Sequence, residues 1–594
     1  MRSSLMLVGC GVALAGAGLP GCALQDASFP GETGDTYAPA EWQDADGDGY
    51  VLADDCVDED AAIHPLAEEL CDGLDNDCDG QTDEDARGVW HVDADGDGYG
   101  DPDATEEACE QPEGAVDNAL DCDDDDAAVS PGATEVERDG IDNDCDGAYL
   151  PWEGAQSAEE LERAEIWGVD EGDGTYADSS DYAGKRLISV GDLSGDGASD
   201  LVLAATASDA SETERDNGGA FVFRGPVLGA QTLETAEGAY YGTAGGLAGY
   251  GLSALGDLDG SGTVDVGMGN YGSRYWIMLS SPEEGAPLIP GNVLYEGGGS
   301  SNFGLSAQGG ADYDGDGQPD LVIGAPVAES HRGAAYLFAG DLLTAAVGDE
   351  WTRVQGVEAD GQAGTAVAMV DLDTDGVAEL IVGAPYVTEA DPRSGAAYVF
   401  DSGQRGVLSV EDALVASHDI TNCGMGATLA SAGDVTGDGA DDLLIGGSAC
   451  AVGSVSGAGD VWLVAGDPAA LSGGEISLAA QFTGQKAYDY LGVGLTNAGD
   501  LDGDGANEVL IGAPGRNERD LSGLAVLWYG PVEAYSNPLE EAAATFHGTA
   551  YNEQLGYSVG GGYDLTGDGW PDLVFGGPAA EGLGVARVVS GTAL

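Results

Sequence analysis

The stretch Asp312-Tyr-Asp-Gly-Asp-Gly-Gln-Pro-Asp-Leu-Val-Ile-Gly-Ala-Pro326 holds both the fold and its chemistry. Carboxylates stand at positions 1, 3, 5 and 9 of this run (Asp312, Asp314, Asp316, Asp320), with glycines between them that permit a tight turn. A loop of this spacing points alternate side chains at one centre. Hard oxygen ligands in that number suit Ca²⁺ rather than a soft transition metal. The apolar run Leu321-Val-Ile323 follows at once, bounded by glycine and proline, and reads as a buried strand.

The unit returns seven times, with loops beginning at Asp192, Asp257, Asp312, Asp371, Asp434, Asp500 and Asp564, a mean spacing of 62 residues. Copies four and six end in glutamate: Asp371, Asp373, Asp375, Glu379 and Asp500, Asp502, Asp504, Glu508. Copies one, five and seven carry a hydroxyl at position 3: Asp192, Ser194, Asp196, Asp200; Asp434, Thr436, Asp438, Asp442; Asp564, Thr566, Asp568, Asp572. That exchange weakens an oxygen cage without abolishing it. Copy two (Asp257, Asp259, Ser261, Asp265) has serine at position 5 and is the weakest. No copy has glutamate at position 12, and strands flank the loops, so these are not EF-hands.

Around each loop the sequence predicts four strands. One precedes it (Arg186 to Gly191, Thr428 to Gly433), one follows it, a third lies downstream (Gly219 to Arg224, Ala334 to Ala339, Leu524 to Tyr529), and a fourth closes the unit (Arg353 to Val357, Thr545 to Gly548). Seven such units predict an all-β chain with a seven-bladed β-propeller over residues 160–594, whose radial closure hides sheet edges. The last unit lacks its fourth strand, and Glu162 to Gly168 is expected to supply it by pairing with that unit. Gly324-Ala-Pro326, Gly383-Ala-Pro385, Gly512-Ala-Pro514 and Phe303-Gly304, recurring in phase, resemble the FG-GAP repeat of integrin α chains. The resemblance implies calcium in the loops and ligands on the opposite face, at connections such as Pro326 to Arg332, Tyr386 to Ser394 and Ser448 to Gly457.

Residues 41 to 150 form a different module, with 39 acidic residues in 110 against Arg87 and Arg138 alone. Asp44, Asp46 and Asp48 recur as Asp93, Asp95 and Asp97, and Asp75, Asp77 and Asp79 recur as Asp142, Asp144 and Asp146. Asp83 stands at position 9 of the best-formed of these loops. The repeats are assigned to residues 44–86 and 87–150. Six cysteines (Cys56, Cys71, Cys78, Cys109, Cys122, Cys145) read as disulfides in an exported chain, with 15 possible connectivities. They lack the C-x₂-C pair of a zinc site. Asp121-Cys-Asp-Asp-Asp-Asp126, Pro131-Gly-Ala-Thr-Glu135 and Asp139-Gly-Ile-Asp-Asn-Asp-Cys-Asp-Gly147 resemble a bacterial repeat family named for metal binding. Beside that resemblance the expected pairing is Cys71–Cys78, Cys109–Cys122 and Cys56–Cys145, with copper as a minor alternative ion.

A net charge of −92, from 109 acidic and 17 basic residues, excludes a nucleic-acid binder. The two lysines, Lys185 and Lys486, sit in no phosphate loop. The first residues read as a secretory signal, 1–21. Leu19-Pro-Gly-Cys22 resembles the bacterial lipobox, which implies lipidation of Cys22 ahead of a linker, 22–43, and an outer-membrane or cell-surface anchor. Cys423 and Cys450 flank the fifth loop and are placed for a disulfide, two free thiols being the alternative. Gly556-Tyr-Ser-Val-Gly560 matches the nucleophile elbow, yet it occupies a repeat position, so no catalytic residue is assigned. The expectation is a non-enzymatic surface lipoprotein holding several Ca²⁺ ions. It would bind an extracellular protein or glycan and attach to the membrane by lipid alone. Metal sequestration is the alternative, and an accessory propeller of a hydrolase ranks third.

Overall fold

In every unit the run after the acidic loop is buried from end to end, as a strand covered on both faces must be. These second strands are Asp200–Ala205, Asp265–Asn270, Leu321–Ala325, Glu379–Ala384, Asp442–Gly447, Glu508–Ala513 and Asp572–Gly577. The computed structural model describes residues 44–591 except 85, 103, 125, 134–141, 144, 146–153, 158–161, 170–180, 209–216, 244–245, 280–288, 297–300, 340–349, 389–391, 418–419, 467–475, 477, 516–520, 533–535 and 540–541. The signal segment, Cys22, the linker to 43, Asp144 and Asp146 therefore lie outside the described residues.

Each second strand pairs on one side with an inner strand: Ala183–Val190, Ala248–Gly256, Ala307–Gly309, Ala366–Val370, Thr428–Gly433, Leu495–Gly499 or Ser558–Tyr563. On its other side lies a third strand: Gly219–Phe223, Arg274–Leu279, Ala334–Phe338, Ala396–Phe400, Asp460–Val464, Leu524–Trp528 or Val585–Val589. An outer strand completes each, so the described residues form seven four-stranded antiparallel sheets in chain order. The outer strand of the seventh comes from far upstream. Glu162–Trp167 pairs antiparallel with Val585–Val589, Trp167 facing Val585 and Glu165 facing Arg587.

Four sheets carry a fifth strand that the alternation pattern did not announce. Gly406–Ser409, Ser536–Pro538, Gly154–Ser157 and Gly229–Thr232 each add in parallel to an outer strand. Three of them belong to the connection between third and outer strands of the following unit, so they tie successive sheets together. Gly154–Ser157 instead comes from ahead of the first unit and adds to the sixth sheet, so the strands of this region begin before residue 160.

Apolar side chains pack between neighbouring sheets. Val370, Ile381 and Val399 of the fourth sheet meet Leu443, Ile445 and the fully buried Trp462 of the fifth. Leu203, Phe221 and Phe223 of the first meet Ile166, Val574 and Val588 of the seventh. Between inner strands, polar side chains bond to the next strand's backbone. Ser558 Oγ donates to the Gly184 carbonyl at 2.8 Å, Ser189 Oγ to Gly561 at 2.8 Å, and Thr428 Oγ1 to Gly492 at 2.7 Å.

The chain divides into two compact units, Met1–Ala94 with Pro102–Ala119, and Asp95–Asp101 with Leu120–Leu594. In the first, Gly88–Val92 pairs with Thr105–Ala108 and Ala115–Val116 in a small sheet. The disulfides are Cys56–Cys78 and Cys71–Cys109 in the first unit, and Cys122–Cys145 in the second. The expected pairs Cys71–Cys78, Cys109–Cys122 and Cys56–Cys145 are thus corrected. Each repeat closes on itself by the same bond, between the cysteine that follows Asp55 or Asp121 and the D-N-D-C-D cysteine, and equivalent backbones make equivalent bonds. Cys56 N–H points at Cys78 Sγ and Cys122 N–H at Cys145 Sγ, both at 3.2 Å. Cys423 and Cys450 are joined, buried beside Trp462.

The closing strand is fastened by one cation. Arg587, 3 % exposed in its side chain, donates from Nε to Glu553 at 3.0 Å and from Nη1 to Glu165 on Glu162–Trp167 at 2.9 Å. Glu553 is fully buried and also accepts the Thr549 and Ala550 amides at 2.9 Å. Removing one partner of a buried pair leaves the other charge uncompensated, at about 3–5 kcal/mol. Arg587→Leu is expected to lower stability in urea denaturation by that order, and Arg163→Leu on the same strand by far less; equal effects would contradict the clasp.

Candidate metal centres

Every loop is built on nested bonds from its own carboxylates to its own amides. The position-1 aspartate accepts the N–H of the position-6 glycine in all seven propeller loops: Gly197, Gly262, Gly317, Gly376, Gly439, Gly505 and Gly569, at 2.7 to 3.2 Å. Asp44 and Asp75 do the same with Gly49 and Gly80. That bond demands a left-handed residue at position 6, as at Gly317 (φ 82°), which glycine adopts without a Cβ penalty. Position 4 is left-handed too, at Gly315 (φ 76°) and even at Thr374 (φ 61°), which accounts for the D-G-D-G spelling. Position 5 caps the loop by accepting the position-7 amide, as Asp316 does from Gln318 at 2.8 Å.

The position-9 carboxylate has a different place. Asp200, Asp265, Asp320, Glu379, Asp442, Glu508 and Asp572 are all 0–1 % exposed at the foot of the second strand. Each accepts the position-2 amide: Leu193, Leu258, Tyr313, Leu372, Val435, Leu501 or Leu565. In four copies the other oxygen accepts from a glycine after the third strand: Gly225 and Gly591 at 3.0 Å, Gly466 at 2.9 Å and Gly530 at 3.4 Å. One buried carboxylate thus joins the loop, the second strand and the next turn. Burial pushes Glu508 up to about 9, with Asp502 adding to it, and pushes Glu379 and Asp572 to about 7 and Asp442 to about 6.

The surroundings of positions 3 and 5 vary from copy to copy. Ser194 Oγ is buried with no hydrogen-bond partner. Thr436 and Thr566 turn their hydroxyls onto Asp442 and Asp572, at 3.5 and 3.2 Å, and Ser261 bonds Asp257 and Thr263. Asp502 is buried near Asp500 and Asp504 and is raised to about 6 by that burial. Asp314 and Asp373 are raised for the same reason.

The N-terminal repeats show the fit to a cation most directly. Ligand oxygens of Asp44, Asp46 and Asp48 lie within 4.8 Å of one another, as do those of Asp75, Asp77 and Asp79. One oxygen each of Asp46 and Asp48, and of Asp95 and Asp97 in the second copy, is buried without a hydrogen-bond donor. Like charges so placed, with no proton to share, match a hard cation. Asp93 follows the strand Gly88–Val92, its amide on the Gly114 carbonyl at 2.9 Å. Asp142 is described, but its partners Asp144 and Asp146 are not. Asp83 bonds the Asp72 and Gly73 amides at 3.0 and 2.9 Å through one oxygen. Two residues outside the D-x-D-x-D-G reading join this site: Glu69 and Glu84 group with Asp77, and one Glu84 oxygen is buried without a partner. Glu69 also accepts the Asn76, Asp77 and Asp83 amides. Its signal was present in the sequence, in the shared frame Pro65…Glu69 and Pro131…Glu135. All six cysteines of the module are in disulfides, so they offer no thiolate to copper or zinc.

Ser558 of the elbow-like run is buried, and its hydroxyl is engaged on Gly184. Comparison with known proteins gives two family matches. The FG-GAP repeat matches residues 303–338 and 363–400, and the family described as "Putative metal-binding motif" (Cu-binding_MopE) matches 55–84 and 121–149. Phosphatidylinositol-glycan-specific phospholipase D of Homo sapiens is 32 % identical over 43 % of this chain and 32 % of its own length; that of Bos taurus is 38 % identical over 23 % and 17 %. Integrin alpha-PS3 of Drosophila melanogaster is 29 % identical over 39 % of this chain and 20 % of its own. The chain therefore spans at most about a third of the length of these relatives.

Glu508 and Glu379 have folded-state values above their ordinary 4.5, so the folded chain binds more protons than the unfolded one between about 4.5 and about 9. Without metal, stability must fall as pH rises through that window. An EDTA-treated sample is expected to melt higher near about pH 5.5 than near about pH 8.5, with saturating Ca²⁺ removing most of the difference. A melting temperature that climbs with pH in EDTA would contradict this. Taken with the loop geometry, the matches show a chain that carries FG-GAP repeats of the integrin α kind behind two copies of a metal-binding motif.

Proposed function

We propose that this chain is a non-enzymatic, calcium-stabilised surface protein whose seven sheets act as one seven-bladed ring and present a ligand-binding face opposite the acidic loops. The observation that carries the reading is the distribution of exposed tyrosines. Tyr182, Tyr271, Tyr386, Tyr488, Tyr490 and Tyr551 are exposed in connections at the ends of the sheets away from the acidic loops, against Tyr563 alone beside an acidic loop among the described exposed tyrosines. Arg393 stands over the Tyr386 ring at 5.9 Å. Aromatic rings with one polar end are what recognition surfaces for proteins and glycans use. In the same reading the carboxylate loops hold Ca²⁺, which rigidifies the far face and offsets part of the −92 charge.

Two features support a place outside the cell: the integrin-like repeats and the disulfide-linked module. No helix among the described residues is long and apolar enough to cross a membrane, and attachment through a lipid on Cys22 is part of the proposal. The phospholipase relatives do not bring their activity with them, because the match covers a third of the human enzyme at most. A second reading, metal sequestration by the N-terminal repeats, is favoured by their buried unpartnered carboxylate oxygens.

The test is calcium titration of the mature chain by calorimetry, followed by screening of the loaded protein on glycan arrays and extracellular matrix proteins. Several bound ions and a saturable ligand weakened at least about tenfold by Tyr488→Ala with Tyr490→Ala are expected. Copper bound far more tightly than calcium, with no surface ligand, would favour sequestration instead.

A further inference from the structure

The seven inner strands line a central cavity of about 570 Å³, the size of a small-ligand site. Among the described residues its wall contains no aspartate or glutamate, although the chain has 109 of them. The only charged side chain on the wall among the described residues is Arg186. Arg186 donates from Nε to the Tyr250 carbonyl at 3.2 Å, and no carboxylate pairs with it among the described residues. Its terminal guanidinium nitrogens are therefore available. At the adjacent position Lys185 also lacks a carboxylate partner among the described residues. It lies instead 4.8 to 5.8 Å from the ring centres of Tyr182, Tyr250 and Tyr557. Two cations thus stand unneutralised by acid in a chain where acids outnumber bases 109 to 17.

Strand register shows what shares the level of Arg186. Arg186 faces Ala204, the fourth residue after the buried carboxylate Asp200, and the equivalent inner residues of the other sheets are small or carry hydroxyls. Gly251, Ala366, Thr428 and Ser558 face Gly269, Gly383, Gly446 and Gly576. Gly324 N–H bonds Ser306 and Gly512 N–H bonds Gly494 at the same level in sheets three and six. Thr428 and Ser558 donate their protons to neighbouring carbonyls. Ser306 Oγ instead accepts the Val367 amide at 3.1 Å, so its proton is free to donate. Nearer the acidic loops, Ser431 and Asn497 line the wall, and neither the Ser431 hydroxyl nor the Asn497 amide nitrogen donates to a group among the described residues. The acidic loops begin where the inner strands end, so an anion in the cavity is driven toward the Arg186 end.

We propose that this cavity binds a small hydroxylated monocarboxylate, a uronic acid being the simplest. Its carboxylate sits on the Arg186 guanidinium with the Ser306 hydroxyl donating alongside, and its hydroxyls reach Ser431 and Asn497. One guanidinium matches one carboxylate, and the absence of acid from the wall removes the repulsion that the rest of the surface exerts. The site is separate from the exposed tyrosine face, and does not depend on that face binding anything.

The test is isothermal titration of the full mature chain, calcium-loaded, with sodium glucuronate and with glucose as separate probes. Glucuronate is expected to bind at least about tenfold more tightly than glucose, and Arg186→Gln to erase that preference while leaving glucose unchanged. Arg186→Lys is expected to restore part of it. Should Arg186→Gln fail to fold by circular dichroism, Ser306→Val serves instead, with a loss of at least about fivefold for glucuronate. Equal affinity for the two probes, no binding of either, or full glucuronate binding by a folded Arg186→Gln chain would overturn the proposal.

Discussion

A carboxylate buried at the foot of each second strand, accepting amides of the loop before it, is the interaction on which the remaining structure depends. It is costly to bury a charge, and the cost is offset only by donors fixed in place. Here the donors are the position-2 amide, often the position-3 amide, and a glycine amide from the turn after the third strand. The glycine is required by space. A Cβ on Gly591 would lie 1.9 Å from the Pro571 carbonyl oxygen, and one on Gly225 would lie 2.3 Å from that of Ser199. Each sheet therefore carries its own latch between loop and strand, and in four of them the latch extends to the turn after the third strand.

The latch divides labour among the carboxylates of one loop. Position 9 faces inward and is bound to amides, while position 1 holds its own turn through both oxygens, as Asp312 does with Gly315 and Gly317, and position 5 accepts the position-7 amide. In the N-terminal repeats the same turn is present without a strand behind it. Disulfides inside each repeat and the buried Glu69 take over the fixing there. Burial first, and neighbouring carboxylates after it, push Asp46, Asp77, Asp314 and Asp373 upward, and a cation bound at positions 1, 3 and 5 would offset both and so add to a turn already shaped for it.

Most of the sheet framework was legible in the sequence because two signals coincide in phase. Carboxylate spacing marks each hairpin turn, and the apolar run after it marks a strand buried on both faces. The closing strand Glu162–Trp167 was legible too, since Ala164-Glu-Ile-Trp167 repeats the polarity of the other outer strands. The parallel fifth strands were not, because Gly406–Ser409 is short and exposed at its start and shows no alternating apolar run. Cysteine pairing failed for a different reason. Spacing along the chain does not encode which backbones approach, and only equivalence between the two repeats, Cys56–Cys78 with Cys122–Cys145, would have selected it. Position 9 was read as a ligand from its spacing, and a formula of spacings does not show that the same carboxylate also accepts the position-2 amide.

The division of labour is tested most directly by melting Asp320→Ala and Asp316→Ala side by side in EDTA. If the buried carboxylate is the latch, Asp320→Ala melts well below the parent chain in EDTA, by the several degrees that a loss of about 2–3 kcal/mol implies. Asp316→Ala then melts close to the parent, and differs from it only when calcium is restored. A folded Asp320→Ala chain that melts with the parent in EDTA would contradict the account, because position 9 would then be a metal ligand and no more.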